Sequence, residues 1–189
     1  MLVPMKTSDA SIVAALAALC VATNYVLVSV PNVKLMDFLV FIGGFCFGAF
    51  AGTLIGVLTW AVYGVINPYG FVLQVWLATM LSESIYGVAG GLLRKSLSVT
   101  GFNGQYLRVS VFFGAMGFLL TLIYDVITNI AYALTLMEKI PVALVILYGV
   151  PFTLLHEISN ATIFGVCSIP MITAISKIAG RETFGVSKK

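Results

Sequence analysis

The chain has 189 residues, of which 60% are hydrophobic and only 9% are charged, and its formal net charge is +3. A soluble domain carries about 25% charged residues, so this composition excludes a soluble globular protein and indicates an integral membrane protein. The mean hydropathy of +1.09 agrees with this interpretation. The basic residues form no continuous stripe, which disfavours a nucleic-acid-binding surface. We expect residues 1–189 to form one transmembrane domain.

Six apolar segments are predicted to be membrane-spanning helices. A spanning helix needs about 20 mainly apolar residues, and turn signals such as the Asn67–Gly70 stretch separate the candidates. The six predicted helices, in chain order, are Ala10–Val30, Lys34–Phe47, Ala49–Ile66, Phe71–Leu93, Arg108–Met137 and Pro151–Lys177. The apolar piece Pro141–Tyr148 is short and is predicted to be re-entrant or interfacial. The sequence therefore predicts an all-α bundle of six transmembrane helices.

The lysine and arginine residues indicate how this bundle is oriented. Cytoplasmic loops carry an excess of these residues, and six spans place both termini on one side of the membrane. Only Lys34 and Lys139 lie on the opposite side. The residues on the terminal side are Lys6, Arg94, Lys95, Arg108, Lys177, Arg181, Lys188 and Lys189. This bias predicts cytoplasmic N and C termini in a multi-pass protein of the cell membrane.

Small residues recur at every fourth position in two regions, a spacing that lets helices approach closely. The first set, in the first helix, is Ala10, Ala14, Ala18 and Ala22. The second set, across the second and third helices, is Gly44, Gly48, Gly52 and Gly56. For the alanines, spacing alone leaves internal packing and docking of a partner as open alternatives. For the glycines we predict close packing of a tight helical hairpin that bends near Gly48.

The fifth helix carries polar side chains within an apolar stretch, Gly117–Leu134. A charge at the bilayer centre costs at least about 2.5–3.5 kcal/mol, so Asp125 needs an inward-facing position. The residues that share this face, at spacings of four, four and three, are Thr121, Asp125, Asn129 and Tyr132. The stripe predicted to face lipid is Leu120, Ile123, Ile127, Ile130 and Leu134. This pattern predicts a bundle with a polar interior.

Nine side chains on five helices are candidates for one binding cavity. They are Asn24, Asp37, Trp76, Glu83, Asp125, Asn129, Tyr132, His156 and Asn160. The predicted topology places them at mid-membrane depth or further out, which indicates a cavity that opens to the exterior. Asn129 and Asn160 either tie helices together by hydrogen bonds or contact a ligand. The carboxyl groups of Glu83 and Asp125 either serve binding, are protonated or pair with His156.

The sequence lacks the motifs of membrane enzymes and of metal sites. The run that starts at His156 begins like HExxH but lacks the second histidine, and His156 is the single histidine of the chain. A multi-histidine zinc site is therefore excluded. No nucleophile elbow and no phosphate-binding loop occur, so an ATP-driven step needs a separate motor protein. We expect no catalytic residue, no bound metal and no cofactor in this chain.

Three motifs, taken in order, carry a family resemblance. The stretch Pro31–Gly70, PNVKLMDFLVFIGGFCFGAFAGTLIGVLTWAVYGVINPYG, joins a glycine-repeat hairpin to an N-P-x-G turn. GxxxTxxYDxxTN at Gly117–Asn129 and PFxLxHxxSN at Pro151–Asn160 follow it. With these motifs, an alanine-rich first helix and about six helices in 189 residues, the chain resembles the substrate-binding S component of energy-coupling factor (ECF) vitamin transporters.

The resemblance implies a subunit that captures a micronutrient from outside and works with a membrane coupling subunit and two cytoplasmic ATPase subunits, which use the ATP. It implies that an AxxxA motif on the first helix, here Ala10, Ala14 and Ala18, contacts the coupling subunit. It also implies that the protein topples in the membrane to release its substrate inward. The pocket would lie between the outer halves of the first helix and of helices four to six.

The outer side of the predicted bundle is acidic, which favours a cationic or donor-rich heterocycle over a carboxylate as ligand. The predicted acids are Asp37, Glu83, Asp125 and Glu157, against Lys34 and Lys139. In this interpretation the acids accept hydrogen bonds, the amides and His156 orient the ligand, and Trp76 or Tyr132 stacks on it. Metal carriers of the family need an N-terminal histidine motif that is missing here. A stand-alone secondary transporter and an intramembrane enzyme are the alternatives.

Overall fold

A computed structural model of the chain describes residues 7–97 and 105–178, and these ranges contain six α-helices and no strand. The helices are α1 (Thr7–Val26), α2 (Met36–Phe47), α3 (Ala49–Ile66), α4 (Leu73–Leu97), α5 (Tyr106–Leu136) and α6 (Val142–Ile178). The predicted all-α class and order of helices are confirmed for this part of the chain. The basic residues outside the described ranges, which entered the orientation argument, are Lys6, Arg181, Lys188 and Lys189.

Three of the helices are long and apolar enough to cross a membrane. They are Ala49–Ile66, Tyr106–Leu136 and Val142–Ile175, within the two described ranges. α1 and α2 contribute shorter apolar segments, Ala10–Val26 and Met36–Phe47. The structure thus shows a helical membrane protein with at least three candidate spans, and the crossing of all six helices stays a prediction.

Several helix ends differ from the predicted ends, because charge and hydropathy do not by themselves set where a helix stops. α4 continues through Arg94 to Leu97, since arginine and lysine are good helix formers. The Arg94 guanidinium also donates a hydrogen bond of 2.8 Å to the carbonyl of Cys46 in the last turn of α2. Conversely, α1 ends at Val26 rather than Val30, and residues 27–29 form a turn before Pro31.

Pro141–Tyr148, for which the sequence left a re-entrant or an interfacial piece open, does not form a segment of its own. These residues lead into and form the first turns of α6, which runs for 37 residues and contains both Pro151 and Pro170. Helix-type bonds already form at its start, where the amide of Leu144 donates to the carbonyl of Pro141 at 2.9 Å. A proline inside a membrane helix is tolerated because neighbouring groups satisfy the freed carbonyl, so Pro151 does not mark a helix start here.

The α2–α3 hairpin packs against α4 with direct contact between backbones. A Cβ atom at Gly44 would collide with the carbonyl oxygen of Gly87, and one at Gly52 would lie 2.6 Å from the Cα atoms of both. Between the two helices Gly48 has φ of 101°, a conformation that residues with a side chain rarely adopt. The predicted tight hairpin is confirmed, and α4 supplies the surface that it packs on.

α2 lies at the centre of the bundle and connects three levels of the interior. All its residues from Met36 to Cys46 are buried, and it packs against α1, α3, α4 and α6. Near the α2–α3 bend the interior is aromatic, with ring centroids 5.0 Å apart for Phe41 and Phe164. A polar level follows at Asp37, and beyond it a cavity opens at the other end of the bundle.

α5 presents the predicted polar face to this interior. Thr121 is fully buried and Asp125 is 5% exposed. The lipid-facing assignment of Leu120 is wrong, because that side chain is buried in the hydrophobic core. Because α5 packs against both α4 and α6, these two helices cover a wider arc of its surface than the polar stripe. The rest of the predicted apolar stripe, Ile123, Ile127, Ile130 and Leu134, is exposed.

Candidate functional site

A cavity of about 830 Å³ occupies the end of the bundle where the loops 27–35, 67–72 and 137–141 meet. Its walls are mainly apolar and aromatic. The least exposed aromatic side chains in the lining are Trp60, Tyr63, Trp76 and Tyr124. A concave, largely apolar site with a few polar groups is the usual form of a small-molecule site, and the volume suits an organic molecule rather than a single ion.

Five of the nine predicted site residues line this cavity. They are Asn24, Trp76, Asp125, Asn129 and Tyr132. The Asn129 amide is held by a hydrogen bond of 2.9 Å that it donates to the Thr153 hydroxyl on α6. The Trp76 indole donates at 2.8 Å to the carbonyl of Trp60, which fixes the ring orientation. The structure therefore brings residues of α1, α4 and α5 to one chamber, as the sequence predicted.

The other four predicted residues lie behind the wall rather than in it. Asp37, Glu83, His156 and Asn160 have no exposed surface, and none of them is part of the cavity lining. They form the polar level that separates the chamber from the aromatic core. Their contact with a ligand stays a prediction, and their hydrogen bonds are with one another and with Trp60, Asp125 and Thr121.

His156 bridges two carboxyl groups from different helices. Its Nε2 lies 2.7 Å from Asp37 Oδ2, and its Nδ1 lies 3.0 Å from Asp125 Oδ1. A neutral imidazole donates from only one ring nitrogen. Both contacts therefore need either an imidazolium between two carboxylates or a neutral ring beside one protonated carboxyl. In either state the three groups share two protons, and the cavity-lining Asp125 is connected to the fully buried Asp37.

Asn160 anchors the same level from α6. Its amide nitrogen donates to Asp37 Oδ2 at 2.7 Å and to the Thr121 hydroxyl oxygen at 2.8 Å. The Tyr86 hydroxyl also donates to that Thr121 oxygen at 2.9 Å. Asn160 therefore ties α2, α5 and α6 together, which supports the helix-tying alternative for this residue.

Glu83 lies behind Trp60, and its carboxyl group is only partly satisfied. The Trp60 indole donates to Glu83 Oε2 at 3.2 Å, and the buried Oε1 has no hydrogen-bond partner among the described residues. The same holds for Asp37 Oδ1 and for the side-chain oxygen of Asn24. Buried acceptors without donors are uncommon in folded proteins, and the Glu83 and Asp37 carboxyl groups form a hydrogen bond with each other when one of them is protonated.

Lys34, Trp60 and Tyr124 are among the cavity-lining residues that the sequence did not predict. The Lys34 ammonium nitrogen lies 5.6 Å from the Trp60 ring centroid and 5.3 Å from that of Tyr124. A lysine in a short loop is normally interpreted as a surface charge. The one sequence signal for an inward-facing Lys34 was the acidic Asp37 three residues later in PNVKLMD. Trp60 lies one turn after Gly56 of the glycine repeat, and Tyr124 lies one turn after Thr121 of the predicted polar face. Helical spacing was therefore the available signal.

The predicted docking ridge on α1 is open. Ala10, Ala14 and Ala18 are all exposed, whereas Ala17 at the edge of this ridge is buried. The ridge is therefore not used for packing within the described bundle, and docking of a partner stays a prediction. Among the described residues no group of three or more histidine, cysteine, aspartate or glutamate side chains is arranged to hold a metal ion.

The sequence matches a family model described as "ECF-type riboflavin transporter, S component" over residues 4–177, which is nearly the whole chain. Comparisons with curated proteins and with solved structures gave no match. Members of the matching family are substrate-binding subunits of membrane transporters, so this protein is a transport subunit and not an enzyme. The chain belongs to the family of ECF-type riboflavin transporter S components.

Proposed function

We propose that this protein captures a small water-soluble vitamin or related organic micronutrient from outside the cell with high affinity. It delivers the ligand for ATP-driven uptake together with a separate membrane coupling subunit and two ATPase subunits. It needs no cofactor of its own, because the partner subunits use the ATP. The observation that carries this proposal is the aromatic-walled cavity of about 830 Å³ beneath three loops at one end of the bundle.

The orientation of the chain belongs to the same proposal. All six helices cross the cell membrane, both termini are cytoplasmic, and the cavity opens outward. Within the described ranges the basic residues support this arrangement, because Arg94 and Arg108 lie at the end of the bundle opposite the cavity. Cytoplasmic ends of helices are the ones enriched in arginine and lysine.

Riboflavin is the first ligand to test, since the matching family is described by it. A flat ring system fits between the aromatic side chains of the cavity, among which Trp60 and Tyr124 stand on α3 and α5. Asp125 and Asn129 lie in the same wall and supply polar contacts that orient such a ligand.

The docking face is proposed to be the alanine ridge of α1. In Ala14→Trp a large side chain blocks close approach of another helix, while the cavity is untouched. We expect Ala14→Trp, co-expressed with coupling and ATPase subunits and gently purified, to retain its ligand but no partner subunits in native mass spectrometry. The matched control is Ala143→Trp, an exposed alanine at the start of α6, which should keep both.

Two outcomes would oppose this assignment. Partner subunits that remain bound to Ala14→Trp as well as to Ala143→Trp would remove the docking face. Ligand flux into liposomes that contain this chain alone would instead support a stand-alone secondary transporter and contradict the need for a separate motor.

A further inference from the structure

Two charged side chains face the cavity, and they differ in how far the protein itself pairs them. Among the described residues that line the cavity, these are Asp125 and Lys34. Both carboxyl oxygens of Asp125 lie within 3.2 Å of His156 Nδ1. Lys34 forms no salt bridge within the described part of the chain, and its ammonium contacts two aromatic faces. The unpaired charge of the chamber is therefore positive.

The position of this charge is set by the loop 27–35. The loop is tied to α6 by a 2.8 Å hydrogen bond from the Asn32 amide to the carbonyl of Phe152. From there the half-buried Lys34 side chain places its ammonium 5.6 Å from the ring centroid of Trp60 and 5.3 Å from that of Tyr124. Aromatic faces attract cations at such distances, so the ammonium stands beside both rings inside the chamber.

The acids behind these rings are satisfied by other groups. Asp37 receives hydrogen bonds from the side chains of His156 and Asn160, and it shares a further one with the Glu83 carboxyl group. Neither acid has exposed surface or belongs to the cavity lining, so they act on Lys34 only through their charge. Lys34 carries three N–H donors, and these stay available to a molecule in the cavity.

We propose that the Lys34 ammonium donates a hydrogen bond to an acceptor atom on the ring edge of the ligand, which makes Lys34 a specificity-determining residue. The inference rests on the proposed function, because it treats the cavity as the ligand site. A flat ring that stacks on Trp60 or Tyr124 brings its edge next to the ammonium. Hydrogen bonds from a charged donor are about twice as strong as neutral ones, so this contact discriminates between rings.

The chemistry of this contact defines a ligand class. A ring with carbonyl oxygens or unprotonated nitrogens along one edge supplies the acceptor that Lys34 lacks. A cationic ring is repelled, and a ring without edge acceptors leaves the ammonium partly desolvated and unpaired, which is costly. The ring of riboflavin, the vitamin that describes the matching family, has two carbonyl oxygens and ring nitrogens on its pyrimidine edge. It belongs to the favoured class.

Riboflavin binding to lysine variants tests the contact. In Lys34→Met the side chain keeps its length but loses its charge and donors, so we expect riboflavin to bind about 10- to 100-fold more weakly. Quenching of flavin fluorescence in detergent measures the affinity. Lys34→Arg, which keeps charge and donors, should recover most of the loss. Lys139→Met, at an exposed lysine outside the cavity lining, should bind like the wild-type protein.

The reduction potential of bound riboflavin separates hydrogen bonding from a packing role of Lys34. Two-electron reduction places a negative charge on the pyrimidine edge of the flavin at about pH 8, so an ammonium beside that edge favours the reduced form. A side chain that only packs against the ligand affects both forms alike. We expect the midpoint potential in Lys34→Met to be about 30 mV lower than in the wild-type protein, a tenfold change in relative affinity. Lys139→Met should leave it unchanged.

A labelling experiment on the wild-type protein covers a failure of Lys34→Met to fold. Riboflavin far above its Kd should slow acetylation of Lys34 by an N-hydroxysuccinimide ester by about tenfold or more. Acetylation of Lys139 should proceed at the same rate with and without riboflavin, as measured by peptide mass spectrometry.

Three results would overturn the inference: equal affinity and potential in Lys34→Met and the wild-type protein, unslowed acetylation of Lys34, or no binding of riboflavin by the wild-type protein. Each leaves the proposed transport role to its own test, because a different micronutrient captured in the cavity still appears in native mass spectrometry. Conversely, riboflavin that binds through Lys34 without uptake would count against the transport role alone.

Discussion

At the scale of single residues, the shape of the site depends on how buried charges are paired. His156 pairs two of these charges, because its two ring nitrogens lie 2.7 Å from Asp37 Oδ2 and 3.0 Å from Asp125 Oδ1. Without it, two carboxyl groups would remain in the interior with no opposing charge between them. Removing one member of a buried ion pair costs about 3–5 kcal/mol, since the partner is left uncompensated.

We therefore expect His156→Ala to lower the free energy of unfolding by about 3–5 kcal/mol. Asn129→Ala, which removes one half-buried hydrogen bond to Thr153, should cost only about 0.6 kcal/mol. Denaturant unfolding in detergent micelles measures both. Adding Asp37→Asn to His156→Ala should restore part of the loss, and equal costs for the two single variants would contradict the pairing.

The sequence predicted part of this arrangement and missed part of it for a physical reason. A carboxylate in an apolar helix must face inward whatever its partner is, so Asp125 and Glu83 could be placed from one sequence. The pairing of Asp125 with His156 was one of several open alternatives, because it depends on the rotation of α6. Lys34 was missed since its position depends on a loop fold that no periodicity reports.

At the scale of helices, close packing of α2, α3 and α4 fixes where the polar level lies. Gly44, Gly52 and Gly87 bring three backbones into contact, which positions Glu83 one turn before Gly87 against α3. The glycine repeat predicted the hairpin, but not that α4 carries the matching glycine. The ends of α1 at Val26 and of α4 at Leu97 could not be predicted from hydropathy. Residues 27–30 are mainly apolar although they lie outside α1, and residues 94–95 are charged although they lie inside α4.

Gly87→Ala should be destabilising by about 1–3 kcal/mol, the usual cost of overpacking, because a Cβ atom there collides with the backbone of Gly52. The control is Gly149→Ala on α6, whose Cβ would meet nothing closer than 3.8 Å. Thermal unfolding of both variants in the same detergent decides the point. If the melting temperature of Gly87→Ala is no lower than that of Gly149→Ala, the backbones of α2, α3 and α4 are not in direct contact at Gly87.

At the scale of the whole molecule, three levels follow one another from the α2–α3 bend to the loops: an aromatic core, a buried polar level and a cavity. The core and the glycine contacts hold the inner end rigid, and the polar level gives the cavity an acidic floor. The cavity lies at the end of the bundle where the three loops meet. A subunit that holds a solute between its loops and the membrane interior requires this arrangement.

The most direct test of the account is whether the cavity holds the ligand. Val75 lines the cavity from α4, and Val88 on the same helix is exposed, so Val75→Trp and Val88→Trp make the same change inside and outside it. Native mass spectrometry should show one bound organic molecule on the wild-type protein and on Val88→Trp, and none on Val75→Trp. A ligand retained equally by both variants, or absent from the wild-type protein, would contradict solute capture in this cavity.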